Sequence, residues 1–472
     1  PLTLSVEECR AAAITNNLSI QSVLVDPTIA AAKVSEEEAR FEATFHTDAS
    51  YSATHTPVGV DAETGVRTRE LATSAGVAVP LRTGGTLTFD LADAQTRTNP
   101  HGSAPDPVYE PSASVSISQP LLRNAGRWVN THAIRLAMVE EQAAQAATRL
   151  EVIRVLAAVD RVYWRLYASR RVLEVRRQDY ELADRQLQTA RRLVDSGERS
   201  SVEVLRAESA LASRLEGIIS AENAVRDRQR ELKRVINRPD VPLDSETIIV
   251  PASEPDPVHY DLTRKELTAK ALCQRMELLE LELRLAQDDS TIGYLENQLL
   301  PLVMLDYAYG VEGLGDSRGE AYDLLGNRRF GSQRVGVSLL VPLGNGAAES
   351  RLRQAVLSRR QRLQTKAERE ALIQQEVLAA CDTLETTWQR ILANRQSVLL
   401  AQRLLDAERR QFTLGLNTSN DVLAAQAELA DAQSAEIAAL TEYQIALVDM
   451  AYATGTVLGA ARLRWDEAGA AP

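Results

Sequence analysis

Cysteine is scarce in this chain of 472 residues: there are three, Cys9, Cys273 and Cys381. They are too few and too scattered for a disulfide framework or a CxxC metal site, and read as isolated thiols on helices. Aromatics make up only 4%, while Ala, Leu, Arg and Glu dominate. That is the composition of long helices and coiled coils rather than of an aromatic-cored enzyme. Positive charge is not in excess. The 53 Lys and Arg against 65 Asp and Glu leave a net charge of −12, the wrong sign for attraction to a phosphate backbone, so no nucleic-acid partner is expected. Long apolar runs are missing too. The best, Val335 to Leu343, is about half of the roughly 18 to 20 residues that cross a bilayer as a helix, and it contains Gly336, Ser338 and Pro342. No GxxxxGK[ST] or HExxH motif occurs, and no enzyme activity is expected. His46, His55, His101, His132 and His259 lie far apart; neither a metal site nor any cofactor is expected of them. The chain opens Pro1-Leu2-Thr3-Leu4, without Met or the basic and apolar regions of a leader, and is read as a processed or trimmed form.

What is present is a duplication. Arg192 to Ala212, containing Gly197 and Val204-Leu205, aligns without gaps on Arg410 to Ala430, containing Gly415 and Val422-Leu423, at an offset of 218 that also carries Glu203 onto Asp421. Upstream, Val159, Leu166, Leu173, Tyr180, Leu187 and Val194 fall on Val377, Leu384, Ile391, Val398, Leu405 and Phe412, both sets stepping by seven. At the front the offset is 258, placing Leu4 on Leu262, Glu8 on Glu266 and Tyr51 on Tyr309, so the first half carries an insertion. The stretch Asn237 to Asp261, with Pro239, Pro242, Pro251, Pro255 and Pro257, breaks any helix and marks the boundary. The expected organisation is a first repeat over 1–237, with strands about 44–122 and a long hairpin 127–237. A linker 238–260 follows, then a second repeat 261–455, with strands about 301–343 and a long hairpin 347–455, and a tail 456–472.

Two periods alternate within each half. The seven-residue steps are those of coiled-coil helices. With no Pro or Gly between about Arg127 and Ser196, the first long helix is expected to run for nearly 70 residues, about 100 Å. It should turn at Gly197 into a shorter antiparallel helix, and a segment from about Pro27 to Ala43 should stack on the short one. The second half repeats this from about Ala347 to Phe412, through Gly415 to about Thr454, with a filler at about Lys265 to Gln298. Between the helices the period falls to two. Val335, Val337, Leu339 and Val341 alternate with Gly336, Ser338 and Leu340; Val303, Leu305, Tyr307 and Tyr309 alternate with Met304, Asp306 and Ala308. In the first half Leu87, Phe89 and Leu91, and later Val115 and Ile117, do the same. One such strand alone equally fits a half-buried sheet. Strands of about ten residues with one apolar face are also what a transmembrane β-barrel uses, and two to four per chain are too few to close one, so several chains are required. Residues 75–89 read as an additional hairpin about Thr83-Gly84-Gly85, absent from the second half, with its place in the wall, outside it or in the lumen left open.

Four stretches together resemble the TolC-like outer-membrane efflux proteins, or outer membrane factors: the opening Leu2-Thr3-Leu4-Ser5-Val6-Glu7-Glu8 with Asn16-Asn17, the junction Gln119 to Arg127, its counterpart Val341-Pro342-Leu343, and the turns at Gly197 and Gly415. The resemblance implies a mainly α fold with a β-barrel, in which coiled-coil hairpins form an α-helical tunnel joined to a trimeric transmembrane barrel. It implies a homotrimer in outer-membrane lipid with a periplasmic extension, acting as the passive exit duct of an efflux or type I secretion system. Its expected partners are a periplasmic adaptor (membrane fusion) protein and an inner-membrane transporter. Val335, Val337, Leu339, Val341, Val303, Leu305, Tyr307 and Tyr309 are expected to face lipid. The periplasmic gate candidates are Glu203, Asp421, Phe412, Asn417 and Arg199. Gly197, Val204, Leu205, Gly415, Val422 and Leu423 are the expected adaptor-docking tips. For Glu203 and Asp421, capping of the helix N-terminus is an equal alternative; for Phe412, so is the last core position of its heptad. The alternative for the whole chain is a soluble coiled-coil scaffold or adaptor.

Overall fold

The computed structural model describes residues 1–57, 65–99 and 106–460; His101 and residues 461–472 of the expected tail lie outside the described residues. The first half runs β1 (Leu2–Leu4), α1 (Val6–Asn16), α2 (Leu18–Val23), α3 (Asp26–Ala39), β2 (Thr44–Pro57), β3 (Gly65–Pro80), β4 (Thr86–Asn99), β5 (Val108–Pro120), α4 (Arg127–Asn130), α5 (His132–Asp195) and α6 (Ser201–Ile236). The rest runs β6 (Ile249–Pro251), α7 (Arg264–Gln274), α8 (Met276–Gln298), β7 (Leu302–Glu312), α9 (Arg318–Gly326), β8 (Gly331–Leu340), α10 (Gly346–Thr413), α11 (Ser419–Ala453) and α12 (Val457–Ala460). The protein is thus predominantly helical with one large sheet. Helices α5 and α10 hold 64 and 68 residues. Among the described residues no helix is long and apolar enough to cross a membrane.

The chain divides into two compact units. One comprises Thr28–Ala143 and Glu282–Gln364 and contains the sheet, antiparallel throughout in the order β2-β3-β4-β5-β7-β8. Six strands replace the two to four expected, because the additional hairpin about Thr83-Gly84-Gly85 becomes β3 and β4, full members of the sheet. Among the described residues the sheet does not close on itself: β2 and β8 are its two edges. At the strand-to-helix junction, Asn124 and Gly126 take positive φ of 63° and 92°, the backbone reversal that lets the chain leave β5 and enter α4. Asn297 anchors this turn, its Oδ1 accepting from the Asn124 amide at 2.8 Å. Trp128 packs on Gly293, where a Cβ would lie 2.5 Å from the indole.

The other unit comprises Pro1–Pro27, Ala144–Leu281 and the chain from Thr365. Its largest core joins α1 and α2 to α5 and α6 through Cys9, Ile20, Leu156, Val159, Leu166, Leu232 and Ile236, all nearly inaccessible. A second core gathers Ala271 and Leu278 with Ile373, Val377, Leu384, Ile391 and Tyr443. The seven-residue steps therefore mark buried positions on α10, where Leu405 and Phe412 continue the stripe. The linker is not featureless, because Ile249–Pro251 pairs in parallel with Leu2–Leu4; three-residue strands are too short to show an alternation. The filler at 265–298 is two helices, α7 and α8, meeting at Arg275. That side chain is buried, donates to Glu277 Oε1 at 2.8 Å and to the Ala453 carbonyl at 3.2 Å, and lies over the Tyr452 ring.

Candidate functional site: sheet faces and helical tips

Strand register sorts the sheet into two chemically distinct faces. Pairing runs Phe45↔Val77↔Phe89↔Val115↔Tyr309 across five strands, and beside it Val79↔Leu87↔Ile117↔Tyr307↔Val335. Leu305↔Val337 and Val303↔Leu339 extend the same face. Because side chains alternate along a strand, the neighbouring row His46↔Gly76↔Asp90↔Ser114↔Gly310↔Ser332 belongs to the opposite face. That face is hydrogen-bonded laterally: Thr88 to Ser116 at 2.6 Å, Ser118 Oγ to Asp306 Oδ1 at 2.6 Å, and His46 Nε2 to Asp90 Oδ1 at 3.1 Å. The His46–Asp90 contact spans an intervening strand and needs Gly76 between them; a Cβ there would sit 2.6 Å from His46 Nε2. On the apolar face Arg318 of α9 pairs with Asp93 Oδ2 at 3.3 Å and lies over the Tyr109 ring. Elsewhere on it, Phe45 on β2 and Val335, Val337 and Leu339 on β8 are 65–70% exposed, large apolar side chains of the kind that mark an interaction surface. Val341 lies just past the end of β8.

The helical tips form two similar turns. Gly197 and Gly415 adopt φ of 79° and 76°, the left-handed conformation that ends a helix with least strain in glycine. After each turn the next helix is capped, by Ser200 accepting from Val202 N and by a capping box of Thr418 and Asp421. Asp421 Oδ2 accepts from the Thr418 amide at 2.9 Å and hydroxyl at 2.7 Å. These hydrogen bonds hold its carboxyl below the usual carboxylate range. Glu203 occupies the matching position yet does something else. Its Oε2 accepts from the Ser419 amide of the other hairpin at 3.1 Å, so it caps α11 rather than its own helix. Arg199 also crosses over, donating to the Asn417 carbonyl at 3.2 Å with its guanidinium over the Phe412 ring. Asn417 in turn donates to Glu408.

All five gate candidates therefore lie at the tips, and four of them touch across the two hairpins. Sequence reasoning did not single out Ser419, which is buried and also accepts from Gln186 Nε2 at 3.1 Å. Nor did it single out Arg214, which joins Asp179 at 3.0 Å and the Leu423 carbonyl at 2.8 Å. A buried Asp and a buried Ser on polar helices carry no periodic signal. Of the six docking candidates, Val422 and Leu423 are buried, Val422 within its own hairpin and Leu423 against Ala183, Leu187 and Ala207. Leu205 is the one with an exposed apolar side chain, at 64%.

A family model described as outer membrane efflux protein matches residues 10–238 and 267–456. The chain belongs to this family. It is accordingly an outer-membrane protein of the TolC-like type, in a family of transport channels. Among curated relatives, the outer membrane efflux protein BepC of Brucella suis biovar 1 (strain 1330) is 24% identical over 305 residues, which is 62% of this chain and 61% of the relative. The match thus spans about three fifths of that protein's length. Among solved structures, the outer membrane protein VceC of Vibrio cholerae aligns with a TM-score of 0.68 at 15% identity, covering 95% of this efflux protein and 96% of VceC. The MtrE outer membrane channel of Neisseria gonorrhoeae, in its open state, aligns with a TM-score of 0.67 at 15% identity over 96% and 89%. At such identities these two likenesses establish the fold.

Proposed function

We propose that three copies of this efflux protein assemble into a passive exit duct, a barrel in the outer membrane continued by a helical tunnel in the periplasm. A periplasmic adaptor and an inner-membrane transporter recruit it for efflux or type I secretion. What supports this reading above all is the open sheet. Its two edges are unpaired, one face is apolar and exposed, the other is lined with Ser, Thr, Asp and His, and a spanning β-structure must close so that no backbone group is left unsatisfied in hydrocarbon. The apolar face, with Val303, Leu305, Tyr307, Tyr309, Val335, Val337 and Leu339, takes the lipid. The tips carry the periplasmic seal, with Glu203, Arg199, Asn417 and Phe412 holding the two hairpins together in the closed state and Asp421 capping α11. Docking of the adaptor falls to the tip surface around Gly197, Leu205 and Gly415.

The mass of the detergent-solubilised protein tests the assembly. Three copies per particle are expected, with loss of solubility when detergent is withdrawn. A monomer that stays soluble without detergent would instead identify a coiled-coil scaffold.

A further inference from the structure

The hairpin β3–β4 has no counterpart in the second half of the sequence. The alignment offset falls from 258 ahead of the strands to 218 behind them, so the first half carries 40 additional residues there. Strand β3, its turn and β4 occupy residues 65–99 of that half. Three observations make the hairpin part of the wall rather than a plug or an appendage. It is flanked on both sides, β3 pairing with β2 from Thr44↔Ala78 to Pro57↔Gly65 and β4 with β5 from Thr86↔Ser118 to Thr96↔Val108. Its turn is seated on the strand-to-helix junction: the Gly126 amide donates to the Thr83 carbonyl at 3.0 Å, and Thr83 Oγ1 donates to Gln119 Oε1 at 2.8 Å. Gly84, at φ 92°, lies so close to this junction that a Cβ would fall 2.6 Å from Asn130 Nδ2. Finally, both the apolar row through Val77 and Phe89 and the polar row through Gly76 and Asp90 run unbroken across the hairpin.

We propose that this hairpin is an inserted wall element and that three copies close an eighteen-stranded barrel, β2 of one copy pairing antiparallel with β8 of the next. The proposal rests on the trimeric duct inferred above. A second copy is the occupant that fits each edge. An antiparallel sheet of even strand number presents edges of opposite direction, so β8 of a neighbour meets β2 in the antiparallel sense. Phe45 and Tyr51 on β2 then fall on the same side as Val335 and Val337 on β8. An open edge of 14 residues is otherwise a template for uncontrolled pairing, and closure removes it. With strands about 4.8 Å apart and tilted near 40°, eighteen give a backbone cylinder roughly 36 Å across, against roughly 24 Å for the twelve left if the hairpin stood outside the wall. Barrels of this larger class enclose an aqueous channel, which leaves size selection to the helical tips.

Single cysteines in a Cys273→Ser background, in trimers reconstituted in vesicles, test the placement with a membrane-impermeant maleimide. Ser74→Cys and Thr88→Cys are expected to label at least tenfold faster than Val77→Cys and Leu91→Cys. Equal, fast labelling of both sets would put the hairpin in water and overturn the proposal. An electron cryomicroscopy map in lipid nanodiscs should show eighteen wall strands; twelve, with the hairpin in the lumen or outside, would overturn it as well. A mass other than three copies would overturn the trimeric reading and the number eighteen together, whereas the labelling contrast reports on the hairpin independently of it.

Discussion

At the scale of single residues, the two faces of the sheet and the burial of individual thiols make the sharpest expectations. Val337 is 68% exposed on the apolar face and Ser338 follows it on the other. In the proposed barrel, Val337→Arg should therefore be destabilising by about 2 to 4 kcal/mol if the position lies near the bilayer midplane, while Ser338→Arg should be tolerated; urea titrations in vesicles would compare them. Equal cost for both would contradict the assignment of faces. The cysteines differ in a similar way. Burial pushes the Cys9 thiol up to about 12 and raises that of Cys381, whereas Cys273 is exposed. Since the thiolate is the reactive species, one thiol per chain should react with an aromatic disulfide near pH 8 in the native protein and three after unfolding. Rapid native reaction of Cys9 would mean that the core around Leu156 and Val159 is open to water.

Among elements, the tip of α11 is the place to look, because it is held by both hairpins. Thr418 and Asp421 cap it locally, and Glu203 caps it from the other hairpin. Thr418→Ala should cost the helix about 1 kcal/mol and raise amide hydrogen exchange at its start. Glu203→Ala should raise exchange at Ser419 as well, while Arg199 and Arg214 still tie the two hairpins together. The Asp421 carboxyl is held below its ordinary value, so its contribution is present above the unfolded carboxylate range and lost as pH falls through the folded value. Protection of the tip amides, taken relative to their intrinsic exchange rate at each pH, should accordingly fall on acidification below about pH 4, and Asp421→Asn should remove that part of the pH dependence. The positions of Glu203 and Asp421 at the tips were legible in the sequence because a duplication placed Gly, an acid and Val-Leu at matching positions. Their division of labour was not, because Glu203 and Asp421 share a sequence position and differ only in which amide they accept. The long helices were equally legible from their seven-residue steps. The full membership of the hairpin about Gly84 was not, since alternation in β3 and β4 is interrupted by Thr73, Asp93 and Gln95, which stand where apolar side chains would continue the row.

For the whole molecule, the family gives the outer-membrane setting, and the unpaired edges of the open sheet are what the proposed assembly of copies would close. The central claim is that assembled copies enclose a water-filled path. The direct measurement is ionic current through planar lipid bilayers after reconstitution of the detergent-purified protein. Discrete, reproducible conductance steps are expected, with a cation preference that weakens when Glu203 and Asp421 are both replaced by Ala while insertion is unchanged. Protein that is demonstrably inserted in lipid yet passes no current, either as isolated or after Glu203→Ala and Arg199→Ala have released the tips, would contradict a duct.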